Sequence, residues 1–211
     1  MSQDRVPFDV SWLRLIAITD SVHDGIAGLS SRAIEAVRGG ATMIQLRLPE
    51  EPPRRLAEVA RELRAVLPHV PLLVSDRADV ALAVGAHGVH LALDEVTPAS
   101  LRRIVPDRFV IGASVGIDDD VARAAGANYA CIGPVHGARQ GEDALGVAGF
   151  AQLAKRFGGP AVAIGGVKAE NVAALMSAGA SGVAVISAVF RSPDAAAAAR
   201  AIRAAQDASE T

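Results

Sequence analysis

Short runs of apolar residues alternate with longer stretches of helical spacing along almost the whole chain. Each run has the length of a strand and contains few polar residues, as expected for strands that are buried on both faces. The predicted strands span residues 13–19, 42–46, 71–75, 88–91, 109–112, 129–133, 161–164 and 182–186. The predicted helices span residues 30–38, 53–66, 78–84, 98–104, 118–125, 148–156, 169–177 and 193–205. This alternation predicts a parallel α/β fold.

A Gly-Ala pair recurs at the end of every second predicted helix and divides the chain into four similar units. The pairs stand at residues 40–41, 85–86, 126–127 and 179–180. The glycine of each pair ends a helix just before the next strand. Four βαβα units favour a compact (β/α)8 TIM barrel, a single domain over residues 13–211 that follows an N-terminal extension of residues 1–12. The alternative is an open doubly wound sheet, which usually carries a glycine-rich phosphate loop where this chain has Thr19, Asp20 and Ser21.

The composition narrows the function classes further. The 211 residues carry a formal charge of −2, so nothing favours nucleic acid or an anionic membrane as a partner. A lone Cys131 excludes a disulfide framework and a cysteine-based zinc cluster. No window approaches the roughly 18 uninterrupted apolar residues of a membrane-spanning helix, and the first residues lack the pattern of a signal peptide. We therefore expect a cytoplasmic protein without membrane contact.

The two final loops of the predicted barrel are suited to a phosphate group. Functional residues of such barrels stand at the carboxyl ends of the strands, because those loops form the open face. Strand seven ends in Gly165-Gly166 and strand eight in Ile186-Ser187. Glycines let backbone N–H groups approach an anion closely, and these two loops are the usual phosphate site of the fold. The alternative is that the glycines only form a tight strand-to-helix turn.

Polar side chains also end strands two, three and five. They are Gln45, Arg47, Ser75 and Ser114. Gln45 and Arg47 alternate along strand two, so both can face the mouth of the barrel. The Arg47 guanidinium offers a fork of donors to an oxyanion, whereas the alternative is a structural ion pair with Asp76 or Asp20.

Carboxylates and one histidine complete the set of candidate groups. Asp76 follows strand three and Asp94 and Glu95 follow strand four, so these carboxylates could meet across the mouth and hold Mg²⁺ together with ligand phosphates. The alternative is that Asp94 and Glu95 only favour the N-terminus of the next helix. His136, in the loop after strand six, is the best-placed general acid or base of the five histidines. Cys131 lies inside a predicted strand and is assigned to the core.

Taken in order, the strings at the strand ends resemble the thiamine-phosphate synthase/TenI family. The matching strings are AITD (17–20), GGATMIQLR (39–47), LVSDRADVALA (73–83), GVHL (88–91), IGAS (111–114), IGPV (132–135), AIGGV (163–167) and GVAVISA (182–188). The resemblance covers about residues 13–205, and the joint occurrence of these strings is specific. It implies a (β/α)8 barrel, usually a homodimer or larger, that acts in thiamine biosynthesis on small phosphorylated heterocycles.

The synthases of this family join a hydroxymethylpyrimidine diphosphate to a thiazole phosphate. Pyrophosphate departs with the assistance of Mg²⁺, and the thiazole nitrogen attacks the stabilised pyrimidine cation. Carried over by position, the pyrimidine-diphosphate side comprises Gln45, Arg47, Ser75, Asp76 and Ser114, with Asp76 and Glu95 as metal ligands. The thiazole-phosphate side comprises Gly165, Gly166, Ile186 and Ser187.

The chain departs from the family pattern on the diphosphate side. Pro49 stands where the strand-two motif has a lysine, and Ser75 stands where an asparagine precedes the aspartate. In the loop after strand six the family's Thr-x-Thr-Lys is replaced by Ala138, Gln140 and Gly141 at the matching positions. Arg139, in the same loop, is the candidate for replacing part of the lost positive charge.

These departures keep two other functions open. The TenI branch tautomerises a thiazole phosphate, needs no metal, and carries a Ser-x-His string where this chain has Ser114-Val115-Gly116. In a tautomerase His136 would have to shuttle the proton. A barrel that binds phosphorylated ligands without catalysis is the third hypothesis.

Overall fold

Eight parallel strands form a closed barrel in which each strand pairs with its neighbours along the chain and β8 pairs with β1. The computed structural model describes residues 7–22, 24–137 and 143–209. The strands are β1 Leu15–Ile18, β2 Met43–Leu46, β3 Leu72–Ser75, β4 Gly88–Leu91, β5 Val110–Val115, β6 Tyr129–Ile132, β7 Ala161–Ile164 and β8 Gly182–Val185. The helices are α1 Gly25–Arg38, α2 Pro53–Val66, α3 Ala78–Val84, α4 Pro98–Arg102, α5 Asp118–Arg123, α6 Gly146–Phe157, α7 Ala169–Ser177, α8 Ser187–Phe190 and α9 Ala195–Ala208. The predicted barrel is confirmed, and the doubly wound alternative is wrong.

The predicted elements are all present, and the differences lie at their ends. Helix α9 was expected to begin at Pro193, but it begins at Ala195 because the Asp194 carboxylate accepts a hydrogen bond from the N–H of Ala197 and caps the helix. Strand β5 extends to Val115 instead of ending at Gly112. The short helix α8 was not predicted.

The Gly-Ala repeat has the conformation that its spacing predicts. All four glycines have left-handed backbone torsions, with φ of +106° at Gly40, +69° at Gly85, +87° at Gly126 and +92° at Gly179. After three of them the alanine N–H turns back to a helix carbonyl, that of Ala36, Ala81 or Leu175. These bonds satisfy carbonyls that would otherwise have no partner at the helix end, and they lead the chain directly into β2, β4 and β8.

Successive side chains of each strand point alternately into the barrel and outwards against the helices. The inward set forms its own cluster of buried residues, which comprises Leu13, Ile16, Ile18, Met43, Leu73, Val110, Tyr129, Cys131, Val162 and Ala184. The outward set packs under the helices as a second, larger cluster. Such a barrel is filled with side chains and has no pore, so its only open end is the face of the strand-to-helix loops.

The segment before β1 closes the lower end of the barrel. Asp9 caps a short 3₁₀ helix, Val10–Leu13, which carries Leu13 into the interior cluster, where its side chain is fully buried. Phe8 stacks on Tyr129 with ring centroids 6.4 Å apart, and Trp12 packs edge-on against Phe8. The predicted boundary after residue 12 therefore falls within this helix.

Four polar side chains occupy inward positions near the upper ends of consecutive strands. They are Gln45 on β2, Ser75 on β3, His90 on β4 and Ser114 on β5. Gln45, Ser75 and Ser114 lie an even number of residues from the interior positions Met43, Leu73 and Val110 of their strands. His90 lies between Val89 and Leu91, which belong to the outer cluster, so it points to the same inner face. The upper end of the interior is thus polar on the side of β2–β5.

Among the described residues, no helix combines the length and the apolar character that crossing a membrane requires.

The burial of Leu13 in the barrel interior generates a stability prediction. Replacement of Leu13 by alanine leaves a cavity inside the barrel that its neighbours cannot fill, so we expect the free energy of unfolding to fall by about 2–5 kcal/mol. Denaturant unfolding followed by circular dichroism measures this change. The control is Ile104→Ala, because Ile104 is 79% exposed and its loss should change stability little. A Leu13→Ala protein as stable as the control would show that the segment does not plug the barrel.

Candidate active site

The amide of Gln45 is buried at the mouth of the barrel, where one of its N–H groups is bonded and its oxygen has no partner among the described residues. Gln45 is 3% exposed, and its Nε2 donates to Ser75 Oγ over 2.9 Å. Its Oε1 is buried and has no partner among the described residues. A buried acceptor without a donor is costly, so this oxygen marks a place where a ligand can donate a hydrogen bond.

Asp76 is held in a conformation that non-glycine residues rarely adopt. Its φ is +62°, its N–H donates to the carbonyl of His90 over 2.9 Å, and its Oδ1 accepts from the N–H of Ala92 over 2.8 Å. Burial raises the pKa of the Asp76 carboxyl, while the hydrogen bond from Ala92 and the charge of Arg47 partly offset this. Such backbone strain is found mainly where a side chain must be held at a functional site.

Glu95 lies on the turn that follows β4 and is linked to Asp76 through Ala92. The N–H of Glu95 donates to the carbonyl of Ala92, whose own N–H is bound to Asp76. Glu95 and Ser114 both line a small cavity between this turn and the loop after β5. Within residues 7–22, 24–137 and 143–209 no three histidine, cysteine or acidic side chains form a cluster that could hold a metal ion.

Thr19 fixes the backbone from which Arg47 projects. The buried Thr19 hydroxyl donates to the carbonyl of Arg47 over 3.1 Å and accepts from its N–H over 2.8 Å. This side chain continues the β1–β2 pairing beyond the ends of the strands. Asp20, one of the ion-pair partners considered for Arg47, pairs instead with Arg191. In the part of the chain that the structure describes, the Arg47 guanidinium forms no ion pair, although its charge acts on Asp76.

A chain of hydrogen bonds runs through the barrel interior to Ser114. His90 Nε2 lies 3.1 Å from Ser114 Oγ, and His90 Nδ1 lies 3.2 Å from the hydroxyl of Tyr129. Burial lowers the pKa of the His90 imidazole to about 4 and raises the pKa of Tyr129 well above its ordinary value. Both groups are therefore neutral near pH 7. Cys131, on the same strand as Tyr129, is buried core as predicted, and burial raises the pKa of its thiol to about 12.

The loops after β7 and β8 border one cleft of about 480 Å³. Its walls include four residues predicted to bind a phosphate, Gly165, Gly166, Ile186 and Ser187. Gly165 and Gly166 have φ of +92° and +66°, which glycine adopts without strain. A Cβ on Gly166 would lie 2.0 Å from the carbonyl oxygen of His136, so both the conformation and the close approach require glycine there.

His136 lies against this double-glycine turn. Its N–H donates to the carbonyl of Gly165 over 2.9 Å, and its side-chain Nε2 is buried with no hydrogen-bond partner among the described residues. The structure thus places His136 beside the cleft, and no described residue bonds its side chain in a way that would orient it as an acid or base. The other candidate of this loop, Arg139, falls outside the described residues, as do Ala138, Gln140 and Gly141.

The sequence-based interpretation assigned no role to Thr19, His90 and Tyr129. The two hydrogen bonds satisfy both ring nitrogens of the buried His90. A sequence signal exists for the pair, because His90 and Tyr129 are polar-tipped residues within otherwise apolar runs.

Burial of neutral His90 predicts a pH dependence of stability. Its imidazole titrates near 6.5 in the unfolded chain and near 4 in the folded protein, so the unfolded state binds more protons between these values. The free energy of unfolding should therefore be at its full value above pH 6.5 and fall by roughly 2 kcal/mol between pH 7 and pH 5 on account of His90.

Denaturant unfolding at a series of pH values measures this loss. His90→Gln should remove this part of the pH dependence, whereas His69→Gln should retain it, because His69 is exposed. If His90→Gln had the same pH dependence as the wild type, the loss of stability below pH 7 would not come from His90.

The comparisons with known proteins agree with the barrel fold. The family model described as thiamine monophosphate synthase matches residues 15–189. A thiamine-phosphate synthase from Azorhizobium caulinodans is 42% identical over 204 residues, which cover 93% of this chain and 95% of that protein. One from Xanthobacter autotrophicus is 40% identical and covers 94% and 96%. A solved structure of thiamine phosphate pyrophosphorylase from Pyrococcus furiosus aligns with a TM-score of 0.84 and 32% identity over 96% of this chain and 99% of that one. The chain therefore belongs to the thiamine monophosphate synthase/TenI family.

Proposed function

We propose that this protein is a thiamine-phosphate synthase, which couples a hydroxymethylpyrimidine diphosphate to a thiazole phosphate. The relatives named thiamine-phosphate synthase align with nearly the full chain, so no part of the barrel is missing from the comparison. The observation in the structure that carries the proposal is the buried Gln45 Oε1, which has no partner among the described residues and offers an acceptor to the pyrimidine.

The pyrimidine of thiamine carries an exocyclic amino group beside a ring nitrogen. The unpartnered Gln45 Oε1 is an acceptor for that amino group, and Ser75 holds the amide in place through its Nε2. Since the amide is buried, the bond would form out of water and discriminate strongly against a ring that lacks the amino group.

Arg47 and Ser114 are proposed to act on the leaving diphosphate. The bond between the pyrimidine methylene carbon and the diphosphate oxygen breaks, and its electron pair leaves with pyrophosphate. The thiazole nitrogen then donates its lone pair to the methylene carbon to form the C–N bond of thiamine phosphate. Arg47 has no ion-pair partner among the described residues, and Ser114 carries a partly exposed hydroxyl near the end of β5. We propose that both stabilise the negative charge that develops on the leaving oxygens.

The thiazole phosphate is proposed to bind in the cleft formed by Gly165, Gly166, Ile186 and Ser187. The volume of about 480 Å³ lies within the usual range for a small-molecule site. Phosphate at these two loops is the common arrangement in such barrels. It would place the thiazole two to three strands around the barrel from Gln45, across β1.

Mg²⁺ fits the residues on the diphosphate side. Proteins usually hold this ion through one or two carboxylates together with substrate phosphates and water, which is what Asp76 and Glu95 can offer. Asp76 Oδ1 accepts one hydrogen bond, from Ala92, so the carboxylate would keep lone pairs with which to hold the ion. The ion would supply positive charge to the departing pyrophosphate, and Asp76 and Glu95 would orient it.

The other two hypotheses gain no support. Gly116 offers no acid or base at the position of the tautomerase histidine, and no hydrogen bond of the described residues orients His136 for that role. The proposal extends to a homo-oligomer, most simply a dimer, in the cytoplasm; this part rests on the family resemblance and on the lone buried Cys131.

The role of Gln45 yields a kinetic prediction. In an assay with both substrates and Mg²⁺, the wild-type protein should release thiamine phosphate and pyrophosphate. Gln45→Met should raise the KM for the pyrimidine diphosphate by roughly 10- to 100-fold, since one buried hydrogen bond is lost, and should leave the KM for the thiazole phosphate unchanged.

Gln152→Met is the matched control. Gln152 is exposed in the middle of α6 and does not belong to any loop that follows a strand. An equal change in the two KM values of Gln45→Met would remove Gln45 from the pyrimidine site. Absence of product from the wild type at high enzyme concentration would refute the synthase proposal itself.

The phosphate cleft yields the complementary prediction. Ser187→Ala should raise the KM for the thiazole phosphate about tenfold through loss of a hydrogen bond to a charged group, with little effect on the pyrimidine diphosphate. Ser181→Ala, just before the other end of β8, should behave as the wild type. If both variants had wild-type kinetics, the phosphate would have to lie elsewhere.

A further inference from the structure

Two hydrogen bonds link Tyr129, His90 and Ser114 in the barrel interior. Only one arrangement of their protons gives every buried N–H and O–H of this series a partner. Tyr129 is fully buried, His90 is 6% exposed, and Ser114 is partly exposed at the mouth. The distances of 3.2 Å and 3.1 Å make both links hydrogen bonds, but they do not fix which atom donates. The direction of donation follows from the surroundings of the two ends.

The Tyr129 end permits only donation from the tyrosine. A hydroxyl must donate its own proton even when it also accepts, and among the described residues His90 Nδ1 is the only acceptor bonded to the Tyr129 hydroxyl. With the proton on Nδ1, the tyrosine hydrogen would remain buried and unpaired, which proteins rarely tolerate. The tyrosine therefore donates to Nδ1, and the proton of the neutral imidazole lies on Nε2.

Gly112 provides the space for this contact. A Cβ at position 112 would lie 2.5 Å from the Tyr129 hydroxyl oxygen and 2.6 Å from His90 Nδ1. Gly112 is paired in register with His90 on one side and with Tyr129 on the other, so its missing side chain leaves the gap in which the two polar groups meet. The interior is thus shaped around the hydrogen bond.

At the other end, the imidazole determines where the serine proton points. His90 Nε2–H donates to Ser114 Oγ, so the hydroxyl hydrogen of Ser114 cannot point back at the ring and is available to another acceptor. Ser114 is partly exposed near the end of β5, so that acceptor can belong to a ligand. We propose that Tyr129 and His90 are positioning residues that hold Ser114 as a hydrogen-bond donor to an oxygen of the leaving diphosphate. Neither touches the substrate; both act through Ser114. This inference rests on the proposed synthase function.

Two measurements test the proposed direction of the hydrogen bonds and the role of Tyr129 and His90. In wild-type protein labelled with ¹⁵N-histidine, with His90→Gln used to assign the signals, we expect NMR at neutral pH to show His90 protonated at Nε2 and unprotonated at Nδ1. The reverse tautomer would overturn the proposal. Tyr129→Phe should give a mixture of the two tautomers and lower kcat about tenfold, with the KM of both substrates nearly unchanged. An unaltered kcat in a folded Tyr129→Phe protein would equally overturn it.

Control variants distinguish a loss of kcat due to misplacement of Ser114 from one due to lower stability of the protein. Val162→Ala creates a cavity in the same interior cluster and should lower stability without lowering kcat. His90→Gln, which keeps an N–H that can face Ser114, should retain more of kcat than His90→Met. If Tyr129→Phe does not fold, the tautomer of the wild type still decides. A wild type that makes no thiamine phosphate would refute the synthase function, whereas the NMR result would stand independently.

Discussion

The interior of the barrel must be filled by the inward side chains of strands that are mostly four residues long, and the rest of the structure follows from this constraint. Tyr129 is the largest of these side chains and lies opposite Gly112, which has none. Leu13 enters from below and lies against Gly182, where a Cβ would be 1.9 Å from its carbonyl oxygen. Large groups thus lie against glycines, and this lets the core pack without gaps. The close packing fixes the position of each strand end along the barrel axis.

The filled core divides the mouth into two halves of different chemistry. Over β2–β5 the last inward residues are polar, and each is tied to a neighbour: Gln45 to Ser75, and Ser114 to His90. Over β7 and β8 the inward residues are Ile164 and Ala184, and the polar groups are supplied by the loops beyond them. One half is therefore built from side chains on rigid strands, whereas the other is built from backbone at glycines. The two substrates of the proposed reaction, a pyrimidine diphosphate and a thiazole phosphate, would make these different demands.

The strand ends that carry the site are secured by side chains that take over from the sheet. Thr19 bonds both backbone groups of Arg47 beyond the last β1–β2 pair, and Asp76 reaches across to Ala92 while its own backbone is strained. The charge of Arg47 acts on the Asp76 carboxyl, so the clamped backbone of Arg47 holds a positive charge near a partly buried acidic group.

The sequence by itself determined the eight alternating units, the glycines that end the helices and the family of the chain, because these depend on periodicity and on torsions that only glycine adopts easily. It also indicated which residues stand at strand ends. The tertiary structure decided which of them meet. Periodicity gives the face of a strand but not the height at which neighbouring strands pair, and that register brings Gly112 between His90 and Tyr129. A partner 39 residues away was therefore visible only once the barrel had closed.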